Sequence, residues 1–130
     1  FQNHIELVGY EIDRRVLSPG QALNLTLYWR GLHKLKNNYT IFTHLRGDGN
    51  RVWAQHDSWP VTGNSPTTTW VPGEVVLDLH PIVTTTEVPH GTYELHIGIY
   101  ESDGQRLQII ADNGQWTDNY LSLGLIRVTN

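Results

Sequence analysis

From Leu23 to Trp29 every second residue is large and apolar, and Asn24, Thr26, Tyr28 and Arg30 occupy the positions between. A period of two lays one face of an extended strand against a core and turns the other toward water, whereas a helix needs a period near 3.6. The same alternation returns in short runs along the chain, interrupted by Gly, Pro and Asp-Gly, and no window carries a helical period. The runs predict about eight strands: His4–Ile12, Ala22–Arg30, Tyr39–Arg46, Arg51–Asp57, Val75–Val83, Thr92–Tyr100, Arg106–Ile110 and Tyr120–Val128. Strands that are each half buried must cover one another. The expected fold is all-β, an antiparallel two-sheet sandwich forming a single domain over residues 1–130.

A chain of this length buries roughly two-thirds of its unfolded surface, enough for one core. Cys and Met are both absent, so neither a disulfide nor a thiolate metal site contributes, and the fold must rest on packing. The 9 Lys and Arg are scattered among 13 Asp and Glu. That balance argues against a phosphate-binding surface, and nucleic acid is not an expected partner. No stretch approaches the roughly 20 apolar residues that cross a bilayer as a helix, so direct membrane insertion is not expected. The first residues lack the basic-then-apolar order of a signal peptide, which is compatible with a piece of a longer secreted or membrane-attached protein.

Turn residues set the register. Gly47-Asp48-Gly49-Asn50 predicts a two-residue hairpin turn in which Leu45 opposes Val52, Thr43 opposes Ala54 and Ile41 opposes His56 on a core-facing side. The other side of that hairpin would carry Phe42, His44, Trp53 and Gln55, continued by Arg46 and Arg51. Gly9 and Gly124 sit where the apolar alternation changes phase, as a bulge or a plain weak point would produce. Pro81 removes a ladder donor, so its strand either ends there or lies on an edge. Tyr93, just after the Pro89-His90-Gly91 turn, resembles the tyrosine corner of immunoglobulin-like sandwiches, whose hydroxyl ties the preceding loop. An immunoglobulin-like arrangement is therefore expected.

Several segments resemble one known domain. They are Glu6-Leu7-Val8-Gly9-Tyr10, Pro19-Gly20-Gln21 with Leu25-Thr26-Leu27-Tyr28-Trp29, and Tyr39-Thr40-Ile41-Phe42-Thr43-His44-Leu45. Gln55-His56-Asp57, Thr69 through Asp78, and Gly91-Thr92-Tyr93-Glu94-Leu95 through Arg106-Leu107 continue the pattern. Together they resemble the C-terminal β-sandwich accessory domain of Chloroflexi-type membrane glycosyltransferase-like proteins, a domain without an assigned function. The resemblance implies a non-catalytic, extracytoplasmic module, at the cell surface or secreted, within a larger membrane-attached parent protein. It carries over no functional residue.

Polysaccharide or glycan binding needs flat aromatic surface for the apolar faces of pyranose rings and planar polar groups for their hydroxyls. Trp53, on the outward hairpin face, and the loop residues Trp59 and Trp116 supply the first; Asp57, Asn113 and Asp118 supply the second. The competing reading is that loop tryptophans plug the ends of the sandwich. Trp29 is core by alternation, and Trp70, before Val71-Pro72-Gly73, reads as a core plug. The long 58–74 connection, rich in Thr, Gly and Pro, could fold over Phe42, His44 and Trp53 and bury that face, since long loops in compact domains are commonly functional or packed back on the body.

Seven histidines raise a transition-metal site, but their spacing does not support one. His44 and His56 fall on opposite faces, His80 and His96 are separated singles, and His4, His33 and His90 lie near strand ends. No cofactor is expected. A structural calcium would take Asp112 and Asp118 as donors, although Asp and Asn before Gly are explained by turn chemistry. Nothing local suggests an enzyme: there is no Cys nucleophile and no Gly-x-Ser-x-Gly. Asp57 and Asp78 are the one carboxylate pair worth considering, against the commoner outcome of a buried carboxylate tying a loop.

Overall fold

The computed structural model describes residues 1–109 and 118–129. Its strands are β1 (Ile5–Ile12), β2 (Val16–Leu17), β3 (Ala22–Gly31), β4 (Thr40–Arg46), β5 (Val52–Gln55), β6 (Val75–Val83), β7 (Gly91–Tyr100) and β8 (Leu121–Val128). They form two sheets, a smaller one in the order β1-β3-β6 and a larger one in the order β2-β8-β7-β4-β5. Among the described residues, helical structure is confined to single 3-10 turns at Asp48–Asn50 and Thr67–Thr69. The architecture is all-β, as the alternation predicts.

The inner face of the smaller sheet is the Leu23, Leu25, Leu27 and Trp29 row together with Ile5 and Ile82, all fully buried. Against it the larger sheet turns Ile41 and Leu45 of β4, Leu95, Ile97 and Ile99 of β7, and Leu123, Ile126 and Val128 of β8. Burying each aliphatic side chain contributes roughly 1.5–3 kcal/mol, so these rows hold the sheets together without any covalent tie. Trp29 and Trp70 both belong to this cluster, as expected.

Both phase changes are bulges. Pairing of β1 with β3 shifts between Leu7 and Gly9, and pairing of β7 with β8 shifts between Glu94 and His96, opposite Gly124. Gly124 adopts φ +98°, and Arg15 fills the widened ladder by donating from Nη1 to the carbonyls of Leu123 and Leu125 at 3.1 and 3.2 Å. The extra residue is why Leu123 and Ile126, three apart, both face inward. The hydroxyl of Tyr93 donates to the carbonyl of Pro89, so this side chain ties its loop as expected.

Four expectations need correction. The hairpin after β4 has a three-residue loop, closed by Gly47 N–H donating to Arg51, with Gly49 and Asn50 at positive φ. Leu45 therefore pairs with Ala54, two residues from the expected partner, and Trp53 becomes the extra residue of a bulge. A slip of two preserves the faces of Phe42, His44, Gln55 and His56, because side chains alternate with period two. Next, Arg106–Ile110 forms no strand over the part described; only a bridge joins Tyr100 to Arg106. β8 pairs with β7 only as far as Ile97, so Arg106 and Leu107 reach just the end of β7, where Leu107 N–H donates to Ile99, and Gln108 bonds instead to Gln2. Third, the pairing is not purely antiparallel: the two-residue β2 lies parallel to β8 and has too little sequence to show a period. Finally, after Ser58, which bridges Ile41, the 58–74 segment is tethered to residues other than Phe42, His44 and Trp53. Its tethers are Val61 N–H on Asp78, Thr67 on Asn37 and Tyr39, and Gly73 N–H on Gly31.

β6 is an edge strand that continues through Pro81. Asn24, opposite Pro81, has its own N–H and C=O bonded to Asp13, so the missing donor of Pro81 faces the open edge and costs the ladder nothing.

Candidate functional site

β4 is buried on both sides, although only Ile41, Thr43 and Leu45 face the core. Its outward residues lie beneath a second layer. Phe42 pairs with Gly98, and a Cβ at Gly98 would meet the Phe42 ring at 2.2 Å, so only glycine leaves the notch that this ring occupies. Above the ring sits the Arg106 guanidinium, 4.3 Å from its centroid, and Tyr100 stacks beside it at 6.2 Å. Phe42 is thereby 1% exposed on what is formally the outside of the sheet.

Cross-strand register extends this patch. His44 lies between Gln55 on one side and His96 on the other, and Arg46 lies opposite Glu94. Arg46 donates from Nη2 toward His44 Nδ1 at 3.3 Å, which leaves the His44 proton on Nε2, 3.5 Å from Asp57. The Tyr100 hydroxyl donates to the same Asp57 at 3.4 Å. His96 is covered by Tyr120, stacked 4.2 Å away, and burial holds its pKa below the ordinary histidine value against the pull of Glu94. Burial, then the neighbouring Arg46 cation, lowers the pKa of Arg106, while burial and Asp57 raise that of Tyr100. Two polar atoms here, Arg46 Nε and His96 Nε2, are buried with no hydrogen-bond partner among the described residues.

This face brings together some of the residues singled out in the sequence. Asp57 is one of its polar groups. Trp59 follows Ser58, whose bridge to Ile41 continues the β4–β5 pairing, and its indole is 42% exposed. Trp53 lies elsewhere, at the hairpin end. It is half buried against the core, with the Arg51 guanidinium 3.9 Å from its ring, beside a cleft of about 260 Å³ that Tyr93 and His90 also line. Asp118 is exposed, and its carbonyl accepts from Ile109 N–H at 2.7 Å. Trp116, Asn113 and Asp112 lie outside the described residues. Arg106, Tyr100, Glu94 and His96 did not stand out in the sequence. The available signal was Gly98, a lone glycine inside a strand, which marks a close approach by another group.

The histidines pair across strands despite their wide spacing. His56 and His80 meet through their Nδ1 atoms at 2.9 Å in the core, and His80 Nε2 contacts Asp78 at 2.6 Å. Asp78, fully buried, also accepts from Trp29 Nε1 at 3.1 Å and from Val61 N–H at 2.7 Å. It is therefore a carboxylate tying a loop, and it faces the core while Asp57 faces outward. His4 and His33 form a second contact, 2.8 Å apart, at the surface. Among the described residues no three His, Asp or Glu side chains converge as metal ligands would.

The fold defines a two-sheet β domain whose larger sheet carries a mixed aromatic and charged outer face. Solved structures similar to it include two of different kinds. One is the C-terminal domain of Wzt, with TM-score 0.60 and 11% identity, covering 98% of this chain and 74% of that one. The other is a Niemann-Pick type C2 protein from Japanese carpenter ant, with TM-score 0.53 and 4% identity, covering 97% and 93%. At these identities the likeness is one of fold. No family model matches the chain, and no curated protein matches it.

Proposed function

We propose that this chain is a non-catalytic, immunoglobulin-like module that binds carbohydrate on the outer face of its larger sheet. One observation carries the reading: Arg106 lies over Phe42 with Tyr100 stacked beside it, the Tyr100 hydroxyl donates to Asp57, and Trp59, two residues after Asp57, is exposed. The exposed Trp59 side chain supplies the flat aromatic surface for a ring with an apolar face, and a carboxylate, a phenol and a guanidinium supply partners for its equatorial hydroxyls. The resemblance to accessory domains of glycosyltransferase-like membrane proteins supports an extracytoplasmic setting within a larger parent protein. The ligand would be held by hydrogen bonds and stacking alone, with no cofactor and no bond broken.

Titration against a panel of neutral and acidic oligosaccharides tests this, read by intrinsic tryptophan fluorescence and by retardation in glycan-containing gels. Trp59→Ala and Tyr100→Ala should weaken binding at least tenfold while leaving the melting temperature within a few degrees. If no glycan shifts the emission or the mobility, the reading fails.

A second reading, a protein-contact module of the same parent, is favoured by the outer face of β6. Val75, Leu77, Leu79 and Val83 are 47–61% exposed along one edge strand. An aliphatic row of this kind with an unpaired edge is a surface on which a second copy can add. Sedimentation at rising concentration decides it: association abolished by the pair Leu77→Lys and Leu79→Lys supports contact between copies, and a strict monomer counts against it.

A further inference from the structure

The outer face holds more positive charge than its own carboxylates engage. Among the described residues, neither Arg106 nor Arg46 lies within ion-pair distance of a carboxylate. Arg106 has its guanidinium carbon 4.3 Å from the Phe42 ring centroid and no hydrogen-bond partner among the described residues, so its donors are unspent. Arg46 contacts His44 and the carbonyl of Asn50, and its Nε has no partner. The two rings that carry these cations, Phe42 and His44, have centroids only 4.8 Å apart. Two neighbouring, partly desolvated guanidinium groups repel one another, and such an arrangement is favourable when an oxyanion sits between them. The depressed pKa of Arg106, due first to burial and then to Arg46, reports the same conflict.

We infer that the face recognises an acidic sugar, with the carboxylate of a uronate ring received between Arg106 and Arg46 above the Phe42–His44 pair. This rests on the carbohydrate-binding reading and narrows it to a ligand class. Asp57 and Glu94 border the site and prevent it from acting as a plain anion trap. Asp57 faces His44 and Tyr100, and Glu94 accepts from Ser122 and lies 3.7 Å from His96. They leave the cations free at one place, while their own oxygens remain available to sugar hydroxyls. The site therefore selects for a single charge carried on a polyhydroxylated ring.

The test compares tetragalacturonate with its methyl ester, which keeps the rings and removes the charge, beside neutral cello- and maltotetraose and inorganic phosphate. Calorimetry on the unmodified protein should give affinity for the acid at least about tenfold above the ester, since hydrogen bonds to charged groups are about twice as strong as neutral ones. That preference should shrink as salt rises. Arg106→Gln and Arg46→Gln should abolish the difference between acid and ester, and Arg106→Lys should restore only part of it, because the fork is lost. Equal binding of the ester or of the neutral tetrasaccharides overturns the inference and leaves a carbohydrate face standing. Phosphate binding as tightly as tetragalacturonate overturns it in favour of an anion site indifferent to sugar. Absence of binding to every saccharide removes both readings.

Discussion

Gly98 and Phe42 form the tightest fit in the outer layer. With a Cβ placed 2.2 Å from the ring, Gly98→Ala must displace either Phe42 or the β4 backbone, and the expected cost is about 3 kcal/mol. Urea denaturation measures it; an unchanged midpoint would mean that the ring has room to move. Asp78 is the corresponding fixed point inside the molecule. Its carboxylate meets His80, Trp29 and the backbone of Val61 with no exposure to water, so Asp78→Ala strands three polar partners in the core. A loss of about 4 kcal/mol is expected from removing one member of a buried charged set. A variant that unfolds at the same denaturant concentration as the parent would contradict that account. Residues of this kind differ in how readable they are. The inward row of β3 is plain from alternation alone, whereas nothing near Asp78 in the chain announces that Trp29, 49 residues away, will donate to it.

At the level of elements, the legible features were those made by neighbours in sequence. Apolar alternation changing phase at a glycine offers a bulge or a weak point, and Pro81 a strand end or an edge; the pairing settles both as bulges and β6 as an edge. Gly124→Ala places an alanine at φ +98° beside Arg15, and about 1.5 kcal/mol of stability should be lost. Comparing its thermal midpoint with that of Gly104→Ala, a turn glycine with open space around it, separates the crowding from the backbone strain. Tyr93→Phe removes only the bond to Pro89 and should cost about 1 kcal/mol, seen as a small drop in melting temperature. The hairpin register is not fixed by Asp-Gly, which serves both two-residue and three-residue loops; here the three-residue loop forms, and the Trp53 indole ends half buried against the core. Arg106–Ile110 alternates adequately for a strand but meets β7 only at its last residues, beyond the end of β8, and pairs there through a single bridge before Gln108 turns to Gln2.

Across the whole molecule, His4, His56 and His96 all titrate below the ordinary histidine value, burial being the first cause in each. The folded state therefore resists protonation more than the unfolded chain does. Their contribution to stability is complete above the unfolded value, about 6.5, and is lost as pH falls through the lower folded values. Melting temperature should thus decline on acidification from about pH 6.5 toward 5. Replacing His96 with Gln should flatten that decline; an unchanged slope would assign it to other groups.

Alternating polarity is a local property. It was sufficient by itself to determine an all-β chain, the inward rows of β3, β4 and β7, and the face to which Phe42, His44 and His56 belong, because a strand's sides are set by the pleat whatever lies across from it. The order of strands within a sheet determined the rest. It laid Arg106 over Phe42, joined His80 to His56, and left Arg46 and Arg106, among the described residues, without a carboxylate within ion-pair distance. Those meetings depend on which distant segments share a ladder, and polar side chains take their partners from that arrangement, so only the tertiary structure decided where the charged face lies.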